Sequence, residues 1–283
     1  MRTTRNGSQF GTHGKEGRKG QGIERLRVLG VCPTLYDDPT ETLQSLQEQS
    51  VKPSRTIIAV GSRELFENLR TQFECIYAKP REEDSFGIRI ARALNSVLDT
   101  VDLNDFDYII RVDADVILPA NFIEASVALR ADIVGEFGDA MLIAIRAFRK
   151  HLEGRFPLTI AEDTYTAYKL KSVGCRLADW SVVPIVKRTP GKGKPWSFFC
   201  ARGIEMYKLG FEPFHVVASL LLDIRNSFAI STYFISLLRH RGKYEFADRI
   251  FVWKTKSLMQ DVRRAICGKK TLKVGLRQGL DGE

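Results

Sequence analysis

Apolar residues in the first two thirds of the chain fall into short continuous runs that alternate with stretches of helical periodicity. Each run stops at Pro, Gly or a turn sequence, which is typical of strands buried on both faces of a sheet. The predicted strands are 27–34, 55–60, 73–78, 108–115 and 131–134, with a further apolar run at 140–148 and an extended stretch at 175–184. The predicted helices are 40–49, 64–72, 86–98, 119–130 and 164–173, the last ending at Gly174.

This alternation of strands and helices indicates the α/β fold class, with a mostly parallel sheet flanked by helices on both faces. Ligands of such sheets bind beyond the carboxyl ends of the strands. The strand that begins at Tyr108 reaches two carboxylates at such an end, so this edge of the sheet is where chemistry is expected.

The two carboxylates belong to Asp113 and Asp115, one residue apart. On an extended backbone these side chains point to the same side, where a cation can hold both. A small set of hard oxygen ligands suits Mg²⁺ or Mn²⁺ when water and phosphate complete the coordination. The same pattern is also typical of a solvated turn after a core strand.

The formal charge of +9 is carried by the two ends of the chain. Residues 1–27 hold seven cations against two acids and residues 239–270 hold ten against three, while residues 28–238 hold 24 against 27. A nucleic-acid-binding domain carries its positive patch on the folded body, so no nucleic-acid partner is expected. Basic flanks favour contact with an anionic membrane face, or serve as solubilising tails.

Cysteine spacing and the N-terminal stretch narrow the class of protein further. The five cysteines are scattered without a close pair or a nearby His, so neither a zinc site nor a disulfide framework is indicated. Residues 1–22 are Gly-rich and polar and lack the apolar segment of a signal peptide. The chain is therefore expected to be cytoplasmic. Its basic flanks add the expectation of peripheral contact with the cytosolic face of a membrane.

Five short segments follow one another along the chain: Val31-Cys32-Pro33-Thr34, Phe86-Gly87 with Ala91-Arg92, Arg111-Val112-Asp113-Ala114-Asp115 with Leu118-Pro119, 138–141, and Ala161-Glu162-Asp163-Thr164. In this order they resemble the inverting glycosyltransferases of family 2, which have the GT-A fold. The likeness covers about 28–188 and extends more loosely to 213. It implies a GT-A domain at 25–213, and the polar, Gly-rich composition before it predicts a disordered lead-in at 1–24.

The resemblance also implies roles for individual residues. Asp113 would hold the ribose side of a nucleotide-sugar donor and help bind the metal, and Asp115 would bind Mg²⁺ or Mn²⁺ on its diphosphate. Asp163 would be the general base that activates the acceptor, with Glu162 shaping the acceptor site. Taken alone, Glu162 and Asp163 are equally typical of acids that interact with a helix macrodipole.

Further residues are implied to bind the donor. Pro33 and Thr34 stand at the end of the first strand. Arg92 either reaches a phosphate or is a surface charge on an amphipathic helix. Arg188 belongs to a basic Gly/Pro-rich stretch, 187–195, that corresponds to a loop closing over the diphosphate or is a solvated linker. Ala59-Val60 stands where the family has aspartates that recognise the base, so uracil specificity is not predicted.

The C-terminal third predicts a helical extension at 214–268, followed by a loose tail at 269–283. Residues 214–238 are largely apolar but are interrupted by Asp223 and Arg225, which disfavours a membrane span. A polar stripe at Ser219, Asp223, Ser227 and Ser231 predicts one continuous helix. A second amphipathic helix at 244–267 packs on the core, forms a homo-oligomer, or attaches to a membrane, the last being favoured by its cations.

The sequence thus predicts a metal-dependent inverting glycosyltransferase that moves a sugar from a nucleotide-diphosphate donor to a hydroxyl, glycan or lipid-linked acceptor near the membrane. One alternative is a sugar-nucleotide nucleotidyltransferase, which would need a Gly-rich basic loop after the first strand; 33–39 contains neither Gly nor a cation. The other alternative is a non-catalytic interaction protein that retains the fold.

Overall fold

A seven-stranded sheet forms the centre of the computed structural model, which describes residues 26–135, 138–187, 196–219 and 224–266. Its strand order is β3-β2-β1-β4-β7-β6-β8, and β7 alone runs antiparallel to its neighbours. The strands are β1 (Val28–Thr34), β2 (Arg55–Val60), β3 (Cys75–Tyr77), β4 (Tyr108–Val112), β6 (Ile133–Val134), β7 (Ala140–Ala144) and β8 (Leu177–Ala178). A separate antiparallel pair joins β5 (Val116–Ile117) to β9 (Ile185–Val186).

Helices cover both faces of this sheet, which confirms the predicted α/β class with a mostly parallel, helix-flanked sheet. They are α1 (Thr40–Gln47), α2 (Arg63–Leu69), α3 (Phe86–Leu98), α4 (Phe122–Ala128), α5 (Ile145–Leu152), α6 (Glu162–Ser172), α7 (Trp196–Leu209), α8 (Pro213–Ala218), α9 (Asn226–Leu238) and α10 (Ala247–Ile266). A 3₁₀ turn at Leu103–Asp105 precedes β4.

Strand residues alternate between two separate hydrophobic clusters because successive side chains point to opposite faces. In β1, Leu29 and Val31 join the cluster beneath α3, α5 and α6, whereas Val28 and Cys32 join the cluster beneath α1, α2 and α4. All seven residues of β1 are buried, which explains why this strand reads as a continuous apolar run.

Several predicted elements need correction. The predicted helix 164–173 begins at Glu162, so both acids lie in the first turn of α6. The extended stretch at 175–184 contains only the two-residue strand β8. Helix α7 was missed because its apolar residues do not form one clean stripe.

The single helix predicted over 214–238 is also wrong. Helices α8 and α9 are separate there, so Ser219 and Ser231 do not share one stripe; Asp223 lies outside the described residues. The lead-in, most of the 187–195 stretch and the tail lie outside them as well.

Helix α10 packs on α6 through aromatic rings. Tyr165 of α6 makes edge-on contacts with Tyr244 and Phe246 at centroid distances of 4.8 and 4.9 Å. Tyr168 of the same helix contacts Trp253 at 6.0 Å. Of the open alternatives, core packing is therefore correct for the first half of α10. In the part of the chain that the structure describes, no helix combines the length and apolarity that a membrane crossing requires.

Candidate active site

The acidic pair lies in a turn at the carboxyl end of β4. Strand β4 ends at Val112, and the Val116 amide donates a hydrogen bond to the Asp113 carbonyl at 3.2 Å. This is an i to i+3 turn, so the argument from strand alternation is wrong for Asp113 and Asp115. The pair nevertheless stands at the edge of the sheet that the sequence indicated.

The backbone of this turn is held from several directions. The buried Thr42 hydroxyl of α1 donates to the Ala114 carbonyl at 2.7 Å. The Lys187 amide donates to the Asp115 carbonyl at 3.0 Å, and the Asp113 amide donates to the Asp139 carbonyl at 3.1 Å. Because each bond comes from a different element, the turn has little freedom to move.

Helix α1 and the residues just after it hold the segment that follows the turn, through two further buried polar side chains. Ser45 Oγ of α1 accepts from the Leu118 amide at 3.1 Å. Gln49, two residues past the end of α1, donates to the Pro119 carbonyl at 2.8 Å and accepts from the Ile123 amide at 3.0 Å. We call Thr42, Ser45 and Gln49 the polar ladder of α1.

Arg111, a buried residue of β4, joins the two groups of acids. Its Nη2 atom lies 3.0 Å from Asp113 Oδ1 and 2.9 Å from Glu162 Oε1. Its Nη1 atom donates to the Gly138 carbonyl at 2.8 Å. One guanidinium therefore connects the turn after β4 to the N-terminus of α6.

Asp163 is tied to the same cluster through Gly138. The Gly138 amide donates to Asp163 Oδ2 at 2.7 Å, and the other carboxylate oxygen accepts from the Thr164 amide at 2.6 Å. A Cβ atom at position 138 would overlap Arg111 Nη1 and lie 2.6 Å from Asp163 Oδ2. Only glycine fits here, and the structure brings Asp113, Glu162 and Asp163 to one place.

The charges in this cluster shift one another. Burial raises the pKa of Glu162 to about 8; the Arg111 charge opposes the rise, and Asp163 and Asp113 add to it. Burial opposes the charge on Arg111, but Asp113, Glu162 and Asp163 outweigh it and raise its pKa. The cluster contains three acidic side chains and one arginine, so its charge favours the binding of a further cation.

The thiol of Cys32 shows how near the acidic pair is to β1. Burial raises its pKa, and the negative charges of Asp113 and Asp115 raise it further. This buried thiol is protonated at neutral pH and is not a nucleophile.

Asp113 and Asp115 fit a hard divalent cation that keeps several ligands from elsewhere. Asp115 has one carboxylate oxygen buried in the turn, and Asp113 shares its charge with Arg111. Within the described residues, no group of three or more His, Cys, Asp or Glu side chains is arranged to hold a metal. Two carboxylates with water and substrate phosphate are the ligand set typical of Mg²⁺ and of similar hard ions.

The predicted donor-binding residues have different surroundings. The register that pairs Val31 with Arg111 puts Pro33 and Thr34 at the end of β1, beside the start of the acidic turn. Arg92 forms an ion pair with Asp84 at 2.6 Å, and no described contact joins it to the acids. Arg188 lies outside the described residues.

The structure adds residues to the candidate site that the sequence did not indicate. Arg111 and Gly138 were noted within motifs but given no role, and the polar ladder of α1 was overlooked. Its members, Thr42, Ser45 and Gln49, recur at the same helical spacing as the apolar stripe, which is the signal that could have found them. Tyr36, in the loop after Thr34, is 68% exposed, as an aromatic side chain that stacks on a ligand would be.

A cavity of 1210 Å³ lies at the opposite end of the sheet. It is lined near the amino end of β1 and β4 by residues such as Arg27 and Tyr108. None of the predicted site residues lines it, so it is separate from the acidic cluster.

Three solved structures are similar to this one at low sequence identity. A mannosyltransferase from Pyrobaculum calidifontis, in complex with GDP-Man and Mn²⁺, is 18% identical, with 86% of this chain and 84% of that chain covered and a TM-score of 0.49. Glucosyl-3-phosphoglycerate synthase from Mycobacterium tuberculosis, in complex with Mn²⁺, UDP and phosphoglyceric acid, is 11% identical, with 62% and 78% covered and a TM-score of 0.45. S. aureus TarS is 13% identical, with 72% and 44% covered and a TM-score of 0.44.

No family model matches this chain, and no curated protein matches it in sequence. A likeness at the level of these solved structures does not assign a function, so the assignment rests on the geometry of the site.

Proposed function

We propose that this protein is a metal-dependent inverting glycosyltransferase that uses a nucleotide-diphosphate sugar. The observation that supports it is the connection from Asp113 through Arg111 and Gly138 to Asp163. A donor-side acid and a candidate base, 50 positions apart in sequence, belong to one buried hydrogen-bonded cluster.

On the donor side, Asp115 and Asp113 would hold Mg²⁺ or Mn²⁺ together with the donor diphosphate. When bound, the ion supplies positive charge that stabilises the leaving nucleoside diphosphate. Arg111 balances Asp113 and holds its carboxylate in place, and the hydrogen bonds to the turn fix where the diphosphate sits.

On the acceptor side, Asp163 would take the proton of an acceptor hydroxyl. The acceptor oxygen forms a bond to the anomeric carbon while the bond from that carbon to the diphosphate oxygen breaks, with its electron pair leaving on the diphosphate. Attack from the face opposite the leaving group inverts the anomeric centre. Each oxygen of Asp163 accepts a hydrogen bond from a backbone amide, which orients the carboxylate and leaves lone pairs for the incoming proton.

Glu162 would position rather than react. Its carboxylate is buried against Arg111, and burial raises its pKa to about 8. Retention of its proton would lower the repulsion on Asp163 and leave the Arg111 charge to Asp113 and Asp163.

A thermal-shift screen of nucleotide sugars with and without Mn²⁺ tests this function. A true donor is expected to raise the melting temperature of the intact chain only when Mn²⁺ is present, because it binds the folded state alone. The Asp115→Ala variant is expected to lose that shift, and Asp105→Ala, an exposed acid in the 3₁₀ turn before β4, is the control that keeps it. If no nucleotide sugar raises the melting temperature of the intact chain, the proposed function is contradicted and the non-catalytic interaction protein is favoured.

A further inference from the structure

Helix α9 is held firmly by one face. The Tyr233 hydroxyl donates to the Phe211 carbonyl at 2.6 Å, and the Thr232 hydroxyl donates to the Cys200 carbonyl of α7 at 2.8 Å. A Cβ atom at Gly203 of α7 would overlap the Ala229 carbonyl, so the two helices are in close backbone contact. The orientation of α9 is therefore fixed by its inner face.

The opposite face of α9 exposes large apolar side chains. Phe228 is 42% exposed, Ile235 is 43% exposed and Leu238 is 77% exposed, and the spacing of seven and then three residues places them on one side. Phe234 is 36% exposed beside them. Trp196 at the start of α7 is 54% exposed and packs on Phe228 at 4.4 Å, which widens the surface.

The charged residues of the segment that carries most of this surface, 224–243, are all cations. From Ile224 to Lys243 the sequence contains no Asp or Glu. Arg239 and Arg241 follow the last turn of α9 directly, and both are exposed. Lys243 is paired with Asp248 at 3.2 Å, so the two arginines are the cations that remain available to a partner.

We infer that the outer face of α9, with Trp196, Arg239 and Arg241, binds an anionic lipid surface. Aromatic and aliphatic side chains beside exposed cations are the pattern by which a helix lies in a bilayer interface next to acidic headgroups. A second copy of this chain fits less well, because the same face offers no acid to pair with the arginines. The surface is distinct from the α10 helix that the sequence favoured, since Phe246 and Ile250 at the start of α10 are buried in the core.

The position of Trp196 connects this surface to the acidic turn. The Lys187 amide donates to the Asp115 carbonyl, and eight residues separate Lys187 from Trp196. The nine Cα–Cα steps between them span at most about 30 Å. If the proposed function holds, and this step rests on it, the lipid surface at Trp196 lies within about 30 Å of the chain beside the acidic turn.

Vesicle flotation of the full chain tests the inference. The protein is expected to float with vesicles in which phosphatidylglycerol replaces a third of the phosphatidylcholine, at least tenfold more strongly than with phosphatidylcholine alone. The Phe234→Ser/Leu238→Ser and Arg239→Gln/Arg241→Gln variants are each expected to reduce that binding at least tenfold. Val252→Ser/Met259→Ser, which removes exposed apolar side chains from α10, is the matched control and is expected to bind as the parent does.

Three results would overturn the inference: no flotation of the parent, equal flotation of all variants, or loss of flotation in the α10 control alone. A dimer seen by sedimentation without lipid, and abolished by Phe234→Ser/Leu238→Ser, would assign the face to a second copy instead. The Mn²⁺-dependent thermal shift, measured on the same variants, should be unchanged. If the protein floats with vesicles but no nucleotide sugar shifts its melting temperature, the lipid-binding inference stands and the proposed glycosyltransferase function is rejected.

Discussion

The Nη2 atom of Arg111 lies 2.9 Å from Glu162 Oε1, and both side chains are almost completely buried. This pair joins the central strand to the helix that carries Asp163. The other route from Arg111 to α6 passes through the backbone of Gly138, so this ion pair is the direct side-chain link between β4 and the first turn of α6.

Replacing Arg111 by Met is expected to destabilise the fold. The change leaves Asp113 without its cation and Glu162 without its hydrogen-bond donor. Loss of one partner of a buried ion pair typically costs about 3–5 kcal/mol. Chemical denaturation measures the loss. Arg146→Met is the matched control: that side chain is 82% exposed and pairs with Asp132, so less than about 1 kcal/mol should be lost. Equal effects would mean that the buried pair does not organise the site.

Stability should depend on pH through Glu162. Its pKa rises from 4.5 to about 8 on folding, so the folded state binds an extra proton between those values. The contribution is complete below about pH 4.5 and is lost as the pH rises through 8, which lowers the free energy of unfolding by a few kcal/mol. Glu162→Gln should flatten this part of the profile, whereas Glu124→Gln, at an exposed position on α4, should leave it unchanged. A profile that is the same in Glu162→Gln and the parent would refute the shift.

Gly138→Ala tests whether Asp163 must be held where it is. The added methyl overlaps Arg111 and crowds Asp163, so sugar transfer is expected to fall by about 100-fold or more from misplacement of the base. Mn²⁺-dependent donor binding is expected to weaken as well, because the overlapped Arg111 also holds Asp113. Gly242→Ala, where a Cβ would meet nothing within 4 Å, is the control. Transfer at the parental rate in Gly138→Ala would show that this contact does not position the base.

Thr42→Val tests the hold of α1 on the acidic turn. The change keeps the shape of the side chain but removes the donor to the Ala114 carbonyl, at an expected cost of about 1–3 kcal/mol. Mn²⁺-dependent donor affinity, measured by calorimetry, should weaken as well. Thr255→Val, which removes a similar hydroxyl bond to a carbonyl of its own helix, should change neither quantity appreciably. Unaltered donor affinity in a destabilised Thr42→Val would make the ladder purely structural.

The sequence predicted the strands and helices that have a clear apolar run or a clear helical periodicity. The strand Arg55–Val60 and the helix Phe86–Leu98 have the bounds expected from their apolar runs and periodicity. Sequence patterns did not predict features that depend on contacts between distant parts of the chain. Thr42 reads as a surface residue until α1 is packed on the acidic turn, and α7 has its apolar residues spread around the helix because α9 covers a second side.

Arg111 shows why the site was only partly predictable. In sequence it is a charge inside a strand, which argues against burial. Asp113 lies two residues on, but the other partners that make burial favourable, Glu162 and Gly138, are far away along the chain. The acids could be identified in the sequence because they lie at the ends of predicted strands and helices. The role of Arg111 could be identified only once the fold had brought its partners together.

The most direct measurement is sugar transfer by Asp163→Asn, made with the donor that the thermal-shift screen identifies. The amide keeps the size of the side chain but cannot take the acceptor proton. Transfer is expected to fall by about a thousandfold or more, while Mn²⁺-dependent donor binding stays as in the parent. Parental transfer with parental donor binding in Asp163→Asn would contradict the assignment of Asp163 as the base and, with it, the account of the cluster as a glycosyltransferase active site.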